Sequence, residues 1–343
     1  MQDSALSAEP RPRREARLFT LYPLAFGAVL VLLVKSALID NDIGLLERFA
    51  VATLSLCVEA LPFLLIGSLL SAAIHLYVPD GRLPRLIPRN RLLGVVTAAL
   101  LGFALPVCDC GSVPVTRRLL AKGVPLNAAV AFLLSVPGVN PLVIVSTLFA
   151  FSQRPVMVLY RVGFSLGTAV LIGLLLSFLD SRYFIKETVA PEQEEPAHAP
   201  GPRRGQFLQR AGALLAHTGE DFFDMGRFFL AGVVISAFVQ TVVPVSALAH
   251  VGHNPFLSVP VMIGGAFLLS VCSQADAFIA QAFLAQFSTG AIVAFLVFGP
   301  MLDLKNTLML VPVLRGRLVA LLVAMAAGTC LVIGLWLNLQ GAA

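Results

Sequence analysis

Apolar residues run through this chain in long blocks separated by short polar intervals, and most of the blocks are too long and too evenly apolar to be buried elements of a soluble domain. A helix needs about 20 apolar residues to cross the hydrocarbon core of a bilayer. Blocks of that length are predicted at 18–39, 49–78, 127–152, 155–180, 220–244, 290–313 and 316–339. Two others, 92–107 and 255–271, are shorter, and each runs into a cysteine and then into a second helix-like piece, Ser112 to Lys122 and Asp276 to Gln286. They read as two re-entrant or broken hairpins, with tips at Cys108-Asp109-Cys110-Gly111 and Cys272-Ser273-Gln274-Ala275. At membrane depth such backbone survives only where protein buries it or a cavity hydrates it.

The pattern also occurs twice. Phe63 to Pro79 matches Phe228 to Pro244 at a shift of 165, which pairs Gly67 with Gly232, Ser71 with Ser236 and Glu59 with Asp224. At a shift of 164, Cys108 falls on Cys272 and Ser112 on Asp276. After one further slip, Pro137 and Asn140 fall on Pro300 and Asp303. Matching polar breaks in a duplicated membrane segment are expected of a transporter whose site lies between two repeats. The predicted organisation is a cytoplasmic tail (1–17), an extra N-terminal transmembrane helix and loop (18–48), a first repeat (49–180), a flexible cytoplasmic linker rich in Pro, Glu and Gln (181–213) and a second repeat (214–343).

Basic residues set the orientation, because lysine and arginine mark cytoplasmic loops. Arg82, Arg85, Arg89 and Arg91 follow the second block, and Arg117, Arg118 and Lys122 end the first hairpin. The matching places in the second copy, 244–254 and 287–290, carry no lysine or arginine. The two copies are therefore expected to insert upside down relative to each other, giving an all-α polytopic membrane protein with an inverted-repeat, transporter-like core.

Composition agrees, with 58% hydrophobic and 13% charged residues and a mean hydropathy of +0.88, where soluble domains carry about 25% charge. The net charge of +5 resides in clusters beside apolar blocks, which excludes a nucleic-acid surface. The odd number of cysteines, 5, sits mostly inside those blocks, so a reduced bacterial inner membrane fits better than a disulfide framework. The five histidines form no ligand pair, and no phosphate loop, nucleophile elbow or dinucleotide fingerprint is present. No cofactor is expected.

Three groups of residues carry candidate chemistry. Thiolates favour soft or borderline acceptors, and Cys108, Cys110 and Cys272 would converge on one metal or metalloid if the two tips meet at the midplane. Cys57 and Cys330, in plain apolar helices, read as small hydrophobes. Carboxylates inside a membrane cost about 2.5–3.5 kcal/mol on insertion scales and usually face a cavity. Asp109, Asp276 and Asp303 are thus expected to contact cargo, and Glu59, Asp224, Asp276 and Asp303 to couple transport to an ion gradient; a structural pair with Lys305 is the alternative use. Proline breaks the backbone ladder at Pro137 to Pro141 and at Pro300, freeing carbonyls and the Asn140 amide for a ligand. Ser112 and Gln274, beside the tips, complete the expected binding set.

The stretches PVCDCGSVPVTRRLL, PGVNP, CSQADAFIAQAF and FGPMLDLKNTLML, in this order between Phe49 and Leu314, resemble the family of bacterial permeases that includes the ArsP organoarsenical exporters. The resemblance implies an inner-membrane permease and, for the arsenical branch, efflux through thiol coordination. The CDCG tip is also similar to that of a branch linked to zinc homeostasis, so a divalent metal stands beside a metalloid as the implied cargo. Rival readings are an intramembrane enzyme with a cysteine nucleophile, which lacks a histidine or lysine base at either tip, and a non-transporting membrane scaffold. The partners expected are membrane lipids, a small inorganic or organometalloid substrate, and a second copy of the chain or an accessory membrane protein.

Overall fold

A computed structural model describes residues 43–79, 87–88, 90–105, 107–178, 206–242 and 255–340. The tail, the crossing expected at 18–39, Arg82, Arg85 and Arg89, the linker as far as 205 and the whole 244–254 loop lie outside the described residues. Every described element is helical: α1 (Ile43–Tyr77), α2 (Arg91–Ala104), α3 (Asp109–Ala121), α4 (Leu126–Val139), α5 (Pro141–Ala150), α6 (Val156–Leu176), α7 (Gln206–Val242), α8 (Pro255–Leu269), α9 (Asp276–Ala282), α10 (Thr289–Met301), α11 (Leu304–Leu310) and α12 (Gly316–Leu339).

Six stretches are long and apolar enough to cross a membrane: α1, α4 with α5, α6, α7, α10 with α11, and α12. They coincide with the six expected blocks that fall within the described residues. The two broken stretches, α4–α5 and α10–α11, are the most enclosed, at 78% and 83% buried, and form the centre. Around them α1, α6, α7 and α12 expose Leu54, Val58, Leu159, Phe223, Val332 and Leu339, as a lipid-facing surface requires. The hairpin arms α2 (14 residues) and α8 (15 residues) span about 21–23 Å at 1.5 Å per residue, short of the hydrocarbon thickness of about 30 Å.

The order of elements repeats: a long helix, an apolar arm, a short helix after a cysteine tip, a broken helix, and a final span. The two long helices, α1 and α7, pack together with opposite directions. Ser71 meets Asp221 and His75 meets His217, so a step of four up one helix is a step of four down the other. The matched glycines Gly67 and Gly232 sit at their closest contacts. A Cβ on Gly67 would lie 2.5 Å from the Gly111 Cα, and one on Gly232 would lie 2.7 Å from the Lys305 Cα. Glycine there lets α1 press on α3 and α7 press on α11, which brings both breaks to one place.

Candidate functional site

The first tip is built by a helix that stops and restarts. After α2 the chain is extended at Leu105 and Cys108, and α3 begins at Asp109 with Cys108 at its N-cap. Cys108 thus precedes the helix while Cys110 lies in its first turn, so the two thiols are not bound to opposite faces as they would be in continuous helix. Both are buried, and their sulfurs and an Asp109 carboxylate oxygen lie within 4.8 Å of one another. The Cys110 thiol is 3.8 Å from Asp109 Oδ2. Asn140, at the break between α4 and α5, fixes the tip by donating through Nδ2 to the Val107 carbonyl (2.9 Å) while its Oδ1 accepts from the Leu142 amide (3.0 Å). The Ser112 hydroxyl donates back to the Asp109 carbonyl at 2.7 Å.

The second copy contributes a strained neck and a charged break. Ser270, just beyond α8, has φ 47°, a left-handed conformation that costs a non-glycine residue roughly 1 kcal/mol or more. It is held by Lys305, whose Nζ donates to the Ser270 carbonyl at 3.0 Å, and by the Leu304 amide, which donates to Ser270 Oγ at 3.2 Å. Asp303 caps α11 through Oδ1 and the Asn306 amide (2.7 Å) and pairs with Lys305 through Oδ2 at 2.8 Å. Lys305 also lies 3.2 Å from Asp109 Oδ2, which accepts from Asn306 Nδ2 at 3.2 Å. One buried ammonium therefore bridges the first tip, the second break and the neck of the second hairpin.

Between these parts lies a cleft lined by Glu59 and Phe63 of α1, by Cys108, Asp109 and Cys110, and by Cys272 and Lys305. Its volume is about 10 Å³, room for roughly one water. The three expected thiols thus line one cleft; Cys108 and Cys110 lie at ligand spacing with Asp109, and Cys272 stands on the wall outside that group. Glu59 is half-buried and makes no ion pair among the described residues.

The other expected residues lie elsewhere. Asp276 is buried at the start of α9 and accepts from Arg161 Nη2 at 2.7 Å; the same nitrogen donates to the Ser273 carbonyl at 2.7 Å, and Nη1 donates to Thr147 Oγ1 at 2.9 Å. Gln274 is half-buried on that tip. Asp224 is 47% exposed and pairs with Arg117 (3.6 Å) and Arg227 (3.3 Å), away from the cleft. Sequence reasoning missed Arg161, although an arginine within VLYRVGF, six residues into an apolar span, is itself the signal. It also missed Asn306 and Asp221. Asp221 accepts from Ser71 Oγ at 2.6 Å and pairs with Arg118 at 3.4 Å.

A family model described as a predicted permease, ArsP_1, matches residues 45–339. The UPF0718 protein YcgR of Bacillus subtilis is 43% identical over 286 residues, covering 82% of this chain and 95% of that protein. A Streptococcus mutans protein provisionally named a two-component membrane permease complex subunit is 37% identical over 257 residues, 75% of this chain and 84% of its own length. No solved structure matches the chain with significance.

Proposed function

From the premise that this chain belongs to the predicted-permease family, and so is a multi-pass permease of the plasma membrane, we propose that it is a secondary transporter for a soft, thiol-seeking metal or metalloid, working in efflux. The observation that carries this reading is that Cys108 and Cys110 lie at ligand spacing with Asp109 in a cleft that Cys272 of the other copy also lines. Sulfur donors select soft and borderline acceptors, and a mixed thiol and carboxylate set suits a divalent metal such as zinc as well as a trivalent metalloid. Lys305 stands beside Asp109 where a cationic cargo would sit, so cargo binding at the carboxylate exchanges one cation for another.

The four candidate coupling carboxylates differ in their partners. Asp276 is held by Arg161, Asp303 by Lys305, and Asp224 by Arg117 and Arg227. Glu59 faces the cleft with no ion-pair partner among the described residues, and we assign the coupling role to it first. The antiparallel packing of α1 and α7 supports an inverted arrangement of the two copies. An accessory subunit or a second copy is part of this proposal, in line with the name of the Streptococcus mutans relative.

Purified protein in proteoliposomes, offered zinc and a trivalent arsenical in turn, tests the reading. Accumulation of either without chemical change, lost in the Cys108→Ser variant, is the expected result. Chemical conversion of the cargo would favour the enzyme alternative, and absence of flux with both would remove the soft-cargo assignment.

A further inference from the structure

The sequence match between the copies sets two regions of the structure against each other. In the first copy, α1 and the end of α3 meet the N-terminal half of α7 in a polar network. Arg118 Nη2 lies 3.4 Å from Asp221, its Nη1 lies 3.2 Å from His75 Nδ1, Ser71 donates to Asp221 at 2.6 Å, and Lys122 donates to the His75 carbonyl at 3.2 Å. Arg117 reaches Asp221 at 3.9 Å and Asp224 at 3.6 Å, and the His75 and His217 rings touch with centroids 4.8 Å apart. The shifts of 165 and 164 map His75 onto Gln240, Arg118 onto Ala282, Lys122 onto Gln286 and Asp221 onto Leu56. Arg117 likewise falls on Gln281, so of the charged partners only Asp224 has a charged match, Glu59, and that residue lies at the cleft.

Three of these matched positions, Gln240, Ala282 and Gln286, line a cavity, while Leu56 lines the cleft. Gln240, Leu269, Val271, Ile279, Ala282, Phe283 and Gln286 line a space of about 510 Å³. The two regions lie at opposite ends of the molecule, because Asp221 and Gln240 are separated by about 28 Å along α7 at 1.5 Å per residue, close to the hydrocarbon thickness. The cleft lies between them. Val271 lines the cavity and its neighbour Cys272 lines the cleft, so the second tip contributes to the walls of both. On the networked side the match of Ile279 is Val115, which is 1% exposed, whereas Ile279 is half-buried at the cavity wall.

We propose that the Ser71–His75–Arg118–Asp221 network is a closed gate and the Gln240–Phe283–Gln286 cavity an open vestibule, so that the structure shows the permease open toward one face and sealed toward the other. The inference rests on the transporter reading above but not on the identity of the cargo. None of the residues that line the vestibule is charged, which leaves packing among the described residues to close it when the gate opens. Breaking the gate removes Arg118 from Asp221 and frees the end of α3 to move off α1 and α7.

Single cysteines at Val115 and Ile279, probed with a membrane-impermeant maleimide in right-side-out and inside-out vesicles, test this without any cargo. Labelling is read above that of the chain with its native cysteines only. Ile279→Cys is expected to react from one face and Val115→Cys from neither. Adding Arg118→Gln with Asp221→Asn should raise Val115→Cys to the level of Ile279→Cys, from the opposite face. The charge swap Arg118→Asp with Asp221→Arg should shield it again. A cysteine at Val297, buried in α10, should stay unlabelled throughout and so reports intact folding. An unreactive Ile279→Cys, or a Val115→Cys that stays shielded after the network is neutralised while Val297→Cys is silent, overturns the gate. If the labelling follows expectation while Cys108→Ser still transports, the thiol assignment fails and the gate stands.

Discussion

Lys305 answers to three buried partners at once, Asp109, Asp303 and the Ser270 carbonyl. Removing one member of such a group leaves charge uncompensated, at a cost of about 3–5 kcal/mol for a buried pair. Lys305→Met is therefore expected to lower thermal stability in detergent by that order, and Asp109→Asn added to it should recover part of the loss. The thiols divide by position. Cys108, Cys110 and Cys272 face the cleft, whereas Cys57 lies half-buried on α1 and Cys330 is sealed in α12. Serine at each of the first three should cut flux by at least about tenfold, the scale on which even outer-shell changes weaken a metal site, with serine at the other two leaving flux near that of the parent. Glu59→Gln should retain cargo binding and lose the dependence of flux on an imposed proton gradient; unchanged dependence would move coupling off this residue.

Among elements, the second hairpin is anchored by a residue from the other copy. Arg161, 1% exposed on α6, ties the Ser273 carbonyl and Asp276 to Thr147 of α5. Arg161→Met alone should be strongly destabilising, and Arg161→Met with Asp276→Leu should regain much of the stability, since apolar replacement of a whole buried pair is often neutral. Flux measured on that double variant then tells anchoring from scaffolding. At the close helix contacts, Gly67→Val and Gly232→Val should reduce folded protein in the membrane, because the new side chains meet backbone at 2.5 and 2.7 Å. Gly219→Ala and Gly226→Ala, with nothing within 4 Å, should be neutral or stabilising by about 0.5–1 kcal/mol. The breaks, tips and described spans were legible because proline, glycine and run length are local signals. The pairing of Asp303 with Lys305, two residues on, was legible too, but the partners of Asp276 and Asp221 were not, since each pairing depends on how separate helices dock. Arg161 and Asp276 are 115 positions apart, and Ser71 and Asp221 are 150 apart. Asp224 shows the same limit from the other side: its register match to Glu59 is plain in sequence, yet it pairs with arginines at the surface while Glu59 faces the cleft.

For the molecule as a whole, the proposed topology places the N-terminus and the 181–210 segment in the cytoplasm and 244–254 and the C-terminus outside, from the arginine asymmetry of matching loops. Cysteine labelling of 244–254 from the extracellular face is the expected result, and labelling from the cytoplasmic face would reverse the orientation of the second copy. The position of the cleft between the two ends of the α1–α7 crossing has a further consequence, in electrical terms. Moving one elementary charge across the full membrane potential is worth about 2.3 kcal/mol per 100 mV. A dication travelling from the cleft to one end crosses roughly half of that field, again about 2.3 kcal/mol per 100 mV. Uncharged trivalent metalloid cargo crosses it at no electrical cost. Clamping proteoliposomes at different potentials should therefore make flux of a divalent cargo electrogenic and voltage-dependent unless counter-ions offset its charge, and leave that of a neutral one flat.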